Sequence, residues 1–146
     1  MIANAVLTTA VVVVIFLLIV ALVLGVAMER GPTAGDVALA YELAWDRLDL
    51  DTIWTLSSNA LRDGRKRHEF MSDKRATYEG RPRLRAVVEH VEIEAVAKHD
   101  RGAAAVLTRL DLRDEAPVHN ELHLERRSGS WSVIRYQLRP ETTSPS

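Results

Sequence analysis

The sequence predicts an α+β protein, in which one N-terminal transmembrane helix precedes three helices packed on a curved, four-stranded antiparallel sheet. Three observations indicate this organisation. The first 28 of the 146 residues carry no charged side chain. Apolar residues then recur with the 3.6-residue period of helices as far as Pro82, and after it with the two-residue period of strands. Short turns separate the strand-like segments, which makes neighbouring strands antiparallel.

The apolar run from Ala10 to Met28 predicts a membrane anchor. At about 1.5 Å of rise per residue, a helix of this length extends roughly 28 Å, close to the hydrocarbon thickness of a bilayer. A cleaved signal peptide is the alternative, but no Lys or Arg precedes the run, and a signal peptide begins with a basic region. Arg30 and Arg47 follow the run, so the bias of basic residues favours a cytoplasmic domain on a single-pass protein of the cell membrane.

The rest of the chain is expected to form one small domain. The anchor covers 1–28, a linker covers 29–33, the folded domain covers 34–139, and the tail 140–146 is predicted to be disordered. Even fully extended, the linker reaches no more than about 15 to 18 Å. The domain is therefore expected to lie against the membrane surface.

The first helix of the domain is predicted to run from Thr33 to about Leu48. Thr33 is a suitable N-cap, and Asp36 completes a variant of the capping box. One face of this helix is apolar at the helical spacing. Its residues are Val37, Tyr41, Ala44, Trp45 and Leu48.

Two further helices are expected before the strands. Asp49 or Asp51 caps a short helix that Ser57 ends. A third helix covers about 65–78, with Gly80 in the left-handed position that often ends a helix.

Four strands are predicted over 83–98, 103–113, 117–127 and 131–139. The apolar phase of the first strand slips near Glu89 and His90, which a β-bulge explains and which curves the sheet. Alternation assigns a set of residues to the buried face. They are Val106, Leu110, Leu112, Leu122, Leu124, Ile134, Tyr136 and Leu138.

Two stretches carry a resemblance to a known family. They are Ala40-Tyr41 with Ala44-Trp45-Asp46-Arg47-Leu48-Asp49 in the opening helix, and Trp131-Ser132-Val133 in the closing hairpin. With the order of elements, they resemble the nuclear transport factor 2-like superfamily, which includes ketosteroid-isomerase-like and SnoaL-like proteins, over about 33–139. Membrane-tethered actinobacterial proteins of unknown role look most similar.

The resemblance implies a cone-shaped fold but no single function, because this cone hosts both enzymes and non-catalytic scaffolds. It also implies a homodimer through the open sheet face. If the chain dimerises in this way, Trp131, Val133 and the row from His119 to Glu125 would lie on that face.

The isomerase-like members imply a carboxylate base in the cone beside acid or phenol donors. Candidates by residue type are Asp46, Asp111, Tyr41, Tyr78 and Tyr136. Asp111 alternates with Leu110 and Leu112, so it is expected to point away from the buried face, and Asp46 suits a surface or capping role. We therefore predict no catalytic residue and no cofactor.

The row His119, Glu121, His123 and Glu125 is the one constellation that resembles a metal site. Same-face neighbours on a strand lie about 6.8 Å apart, too far for two histidines four residues apart to chelate alone. A polar sheet face is therefore preferred, and no metal is predicted. The chain contains no cysteine, which excludes disulfides and thiolate chemistry.

Two sets of residues are candidates for binding. Aromatic side chains between helices and sheet either line a small-molecule pocket or fill the core: Tyr41, Trp45, Trp54, Phe70, Tyr78 and Tyr136. Basic side chains in the middle of the chain either face anionic lipid headgroups or form a solvated face: Arg62, Arg65, Lys66, Arg67, Lys74 and Arg75. Nucleic acid is not an expected partner, because the net charge is −1 and aromatic residues do not alternate with the bases.

The expected function is a membrane-tethered, non-catalytic interaction or assembly module with an unknown protein partner. The alternative is a small-molecule-binding protein or an enzyme that uses the cone. One structural feature separates the two. A binder requires an open cavity with an acid that points inward, whereas a scaffold has a filled cone.

Overall fold

The computed structural model describes residues 2–29, 31–81, 86–99 and 102–139, and in the first helix it describes the side chains of 9–25. The chain divides into two compact units, Met1–Gly31 and Pro32–Ser146. The predicted tail 140–146, and the predicted start of the first strand at 83–85, lie outside the described residues.

The first unit contains helix α1 (Ile2–Glu29). Its described side chains, at 9–25, are all exposed and almost all apolar. Among the described residues, no helix combines the length and the hydropathy needed to cross a membrane. The anchor therefore stays a prediction from the sequence.

Helix α2 (Ala34–Arg47) opens the second unit and begins as predicted. The Thr33 hydroxyl oxygen accepts a hydrogen bond from the Asp36 N–H at 3.1 Å, and the Asp36 carboxylate accepts one from the Thr33 N–H at 2.9 Å. This reciprocal capping box satisfies two N–H groups that the first turn leaves unpaired. The helix ends at Arg47, and its C-cap residue Leu48 adopts a left-handed conformation with φ 53°.

Helices α3 (Leu50–Leu56) and α4 (Arg67–Glu79) follow. Asp49, rather than Asp51, caps α3 by accepting the Thr52 N–H at 3.2 Å. The expectation of a left-handed Gly80 is wrong, because this residue has φ −74°. The N–H of Gly80 instead bonds to the Tyr78 carbonyl within a right-handed final turn.

The sheet contains β1 (Val88–His99), β2 (Ala103–Leu112), β3 (Val118–Arg127) and β4 (Ser130–Leu138). They pair antiparallel in the order β1-β2-β3-β4, which confirms the predicted meander. The register of β1 against β2 shifts between Val88 and His90, where the bulge was predicted. A second shift follows between Ile93 and Ala95.

The predicted phase of β4 is wrong at Val133. A register shift lies in the β3–β4 pairing, with Leu122 opposite Tyr136 but Leu124 opposite Val133. The extra residue, Ile134, turns Val133 onto the inner face, where it is fully buried. Val133 therefore does not lie on the open sheet face, and its carbonyl accepts the N–H of Ser58 at 2.8 Å. Trp131, which was predicted on the same face, packs against the core instead.

The core lies between the helices and the inner face of the sheet. Its central side chains have no exposed surface, and they are Ala38, Ile53, Val106, Leu122, Leu124 and Val133. Leu138 is on the predicted inner face but is 72% exposed, because it lies at the rim of the cavity described next.

Candidate functional site

A cavity of about 500 Å³ opens between α2, α4 and one end of the sheet. This volume lies within the range of small-molecule sites in proteins. Most of the wall is apolar, and the apolar residues are Val87, Val88, Leu110, Leu112, Val118 and Leu138. Polar side chains from α2, α4, β3 and β4 interrupt that wall at a few points, which is the usual composition of a ligand site.

The carboxyl group of Glu42 is the most deeply placed of these polar groups. Glu42 is 1% exposed, and its two oxygens accept hydrogen bonds from three side chains. The Thr108 hydroxyl donates to Oε1 at 2.6 Å, and the Asn120 amide donates to the same oxygen at 3.1 Å. The Tyr136 hydroxyl donates to Oε2 at 2.8 Å and accepts from the Asn120 amide at 2.8 Å. We call these four residues the Glu42 network.

The electrostatics of the network follow from its burial. Loss of solvent raises the pKa of Glu42, and the hydrogen bonds from Thr108, Tyr136 and Asn120 oppose that rise only in part. Burial, followed by the neighbouring Glu42 charge, raises the pKa of Tyr136 far above its usual range. Tyr136 therefore remains a phenol, able to donate a hydrogen bond, throughout the physiological range of pH.

Glu42 is a candidate site residue that the sequence did not indicate. A glutamate inside a helix is usually solvated, and Glu42 follows Tyr41 without any motif. A signal was nevertheless present. Glu42 lies four residues after Ala38 and three before Trp45, which places it on the buried stripe of α2. Thr108 and Asn120 are likewise polar residues at inward positions of otherwise apolar strands.

Asp46 shapes the cavity wall, and its place matches the capping role considered from the sequence. Its Oδ1 accepts the N–H groups of Val87 at 2.9 Å and Val88 at 3.0 Å. Its carbonyl accepts the N–H of Ala86 at 2.8 Å, where the backbone has the left-handed φ of 56°. Asp46 thus holds the entry to β1 against α2. Asp111, as expected, does not face the cavity and pairs with Arg109 at 3.0 Å.

The six aromatic candidates divide between two places. Trp45, Tyr78 and Tyr136 line the cavity, and the Trp45 and Tyr78 rings lie 5.5 Å apart. Tyr41 and Phe70 are each 3% exposed and fill the core instead. Trp54 packs on Phe70 with ring centroids 5.3 Å apart, away from the cavity.

Most of the candidate basic patch is engaged locally. Arg65 pairs with Asp73, and Arg67 pairs with Asp51. Arg75 lies 3.6 Å from a Glu79 oxygen. Arg62 donates to the Trp54 carbonyl and lies 4.2 Å above the Trp54 ring. These contacts reduce the charge that the patch presents to lipid headgroups, and contact with a membrane stays a prediction.

The two lysines of the patch differ from each other. Lys66 is exposed, whereas Lys74 is partly buried and lines the cavity. The Lys74 ammonium lies 5.9 Å from the Trp45 ring centroid and 5.6 Å from that of Phe70. Among the described residues, no carboxylate lies within ion-pair distance of it.

The row from His119 to Glu125 lies on the outer face of the sheet, as predicted. His119 Nδ1 lies 3.2 Å from Glu94 on β1, and His123 Nε2 lies 2.5 Å from Glu121. Within the part of the chain that the structure describes, no three His, Asp or Glu side chains form a group able to hold a metal ion. The homodimer through this face stays a prediction.

Comparison with known proteins adds little to this site. No family model matches the chain, and no curated protein matches it. A solved structure, "Structure of Bdellovibrio bacteriovorus Bd1075", is similar over 73% of this chain at 14% identity, with a TM-score of 0.46. The chain covers 39% of that protein. Membership of the nuclear transport factor 2-like superfamily therefore stays a prediction from the sequence.

Proposed function

We propose that the folded domain is a small-molecule-binding domain whose ligand occupies the cavity between helices and sheet. One observation carries the proposal: the cavity is open, and the Glu42 carboxyl group lies in its wall. This is the arrangement that distinguishes a binder from a scaffold with a filled cone. It favours the alternative function over the non-catalytic interaction module.

The cost of burying Glu42 supports this function. A buried carboxyl group loses its hydration, and an apolar side chain of similar volume would fill the position without that loss. An acid whose pKa is shifted by burial, in the wall of a cleft, is therefore a candidate for ligand recognition. Glu42, Asn120 and Tyr136 place polar groups in the wall of a cavity that is otherwise mostly apolar.

The experiment uses the full-length protein in phosphatidylcholine nanodiscs, titrated with octan-1-ol as a neutral apolar probe. Trp45 lines the cavity, so we expect a saturable change in tryptophan fluorescence that Trp45→Phe abolishes. Leu110→Trp fills the cavity and removes binding. Leu107→Trp is the matched control, because it makes the same substitution on the same strand but on the opposite face. Equal binding by these two leucine variants would rule out the cavity as the site.

We also propose that α1 tethers the domain to the membrane. The support is the uncharged sequence from Met1 to Met28 together with the exposure of the side chains at 9–25. Those 17 described positions extend about 25 Å, somewhat less than the roughly 30 Å of a bilayer core. An apolar helix exposed on all sides requires an apolar environment, and lipid supplies one. Arg30 and Arg47 favour a cytoplasmic domain.

A further inference from the structure

The charge of Lys74, which lines the cavity, indicates what kind of ligand the cavity accepts. Resting on the proposed function, we propose that the ligand is a single-chain amphiphile with one anionic head group, which pairs with the Lys74 ammonium while its apolar chain lies in the cavity. Three observations support this class of ligand: the surroundings of Lys74, the hydrogen bonds of the acids Asp46 and Glu42, and the apolar rim at Leu138.

Lys74 is a partly buried cation without a counter-ion among the described residues. The neighbouring arginines 62, 65, 67 and 75 all have local partners. Within the described part of the chain, the Lys74 ammonium instead lies over the faces of the Trp45 and Phe70 rings. Ring faces attract a cation weakly and leave its hydrogen-bond donors unused. An anionic ligand could therefore form an ion pair with Lys74 without displacing an ion pair that already exists in the described part of the chain.

Neither acid in the cavity wall forms an ion pair with Lys74. The Asp46 carboxylate accepts two backbone N–H groups at the start of β1. The Glu42 carboxyl group accepts bonds from three side chains deep in the wall. Glu42 also determines the orientation of the ligand. An anion beside it would meet either a like charge or a neutral acid. The anionic end of a ligand is therefore favoured at Lys74 and disfavoured at Glu42.

The rest of the site suits an apolar chain. Leu110, Leu112 and Val118 line the cavity, and Leu138 extends the apolar surface to the rim, where it is 72% exposed. A bound chain that passes over the rim would cover that leucine, which removes apolar surface from water. A small polar anion would leave this surface exposed and the cavity unfilled.

The test measures affinity by titration calorimetry on the full-length protein in phosphatidylcholine nanodiscs, with empty nanodiscs subtracted. The probes share an eight-carbon chain and differ in the head group: octanoate, octyl phosphate, octan-1-ol and octyltrimethylammonium. We expect at least one anion to bind about tenfold more tightly than octan-1-ol, and the cation to bind most weakly. The order of octanoate and octyl phosphate decides between a carboxylate and a phosphate head group.

Lys74→Gln should reduce the affinity for the anions to the affinity of the same variant for octan-1-ol, and a cooperative urea-unfolding transition like that of the wild type shows that the variant is folded. Lys66→Gln is the matched control, since it removes the same charge from the same patch outside the cavity. Equal affinities for octan-1-ol and both anions, or a preference for anions that survives in Lys74→Gln, overturns the head-group assignment and leaves the binding function standing. Absence of binding by all four probes overturns the binding function itself.

Discussion

Replacement of Glu42 by alanine tests whether the buried network exists as described. The substitution removes both acceptor oxygens from three donors, of which Thr108 is fully buried and Asn120 is 3% exposed. Asn120 and Tyr136 line the cavity, so water can replace the carboxyl group for them. Thr108 does not line it, and its hydroxyl is the donor left without a partner.

The expected cost follows from these contacts. A buried donor that loses its partner costs about 1–3 kcal/mol, and loss of one buried methylene group adds about 0.8 kcal/mol. Relief of the buried carboxylate opposes these losses. We therefore expect Glu42→Ala to lower the free energy of unfolding by about 1–3 kcal/mol at neutral pH.

The assay is urea unfolding of the full-length protein in nanodiscs, followed by tryptophan fluorescence. Glu79→Ala is the control, because it makes the same substitution on a helix at a side chain that is 58% exposed. An exposed position of this kind should change stability by no more than about 0.5 kcal/mol. If Glu42→Ala is as mild as Glu79→Ala, the buried network does not hold the domain together and the reasoning fails.

Three further predictions follow from the same contacts. Burial raises the folded-state pKa of Glu42 above its ordinary value of 4.5, so the contribution of its protonated form to stability is complete below pH 4.5 and is lost as the pH rises through the folded-state pKa. The free energy of unfolding in urea, measured from pH 4 to 8, should therefore fall in the wild type relative to Glu42→Gln as the pH rises. A difference between the two proteins that does not change with pH would contradict this. Asp46→Ala leaves the N–H groups of Val87 and Val88 without their acceptor and should cost about 1–3 kcal/mol. The control is Asp73→Ala in helix α4, where the side chain is 57% exposed and the loss of a surface ion pair should cost less than about 1 kcal/mol. Ser144→Cys should react with an impermeant maleimide only after cell lysis if the domain is cytoplasmic, whereas labelling of intact cells reverses the orientation.

Local patterns predicted most of the fold because local physics determines it. Thr33 and Asp36 satisfy each other across one helical turn, so the sequence alone identifies the start of α2. The phase slip near Glu89 likewise located a bulge in β1. In β4, however, Val133 and Ile134 are both apolar and β-branched, and neither chemistry nor spacing shows which of them the bulge displaces. Only the pairing with Leu124 settles that phase.

The Glu42 network escaped the sequence analysis because its members are far apart in the chain. Thr108 and Asn120 lie 66 and 78 residues from Glu42, and each alone resembles a tolerated polar residue on a strand. The structure adds the register, in which Thr108 is directly opposite Asn120 on the inner face. Residue type alone, which made Asp111 a candidate, does not show which acid points inward.

That register also connects binding with fold specificity. A slip of one residue between β2 and β3 would turn one strand's side chains to the other face. Thr108 and Asn120 could then no longer both reach Glu42, and a buried carboxyl group would lose at least one donor. The alternative register therefore incurs the cost of an unsatisfied buried acid in addition to lost apolar contacts. The Glu42 network, which contributes polar groups to the cavity wall, thus also disfavours incorrect pairing of β2 with β3.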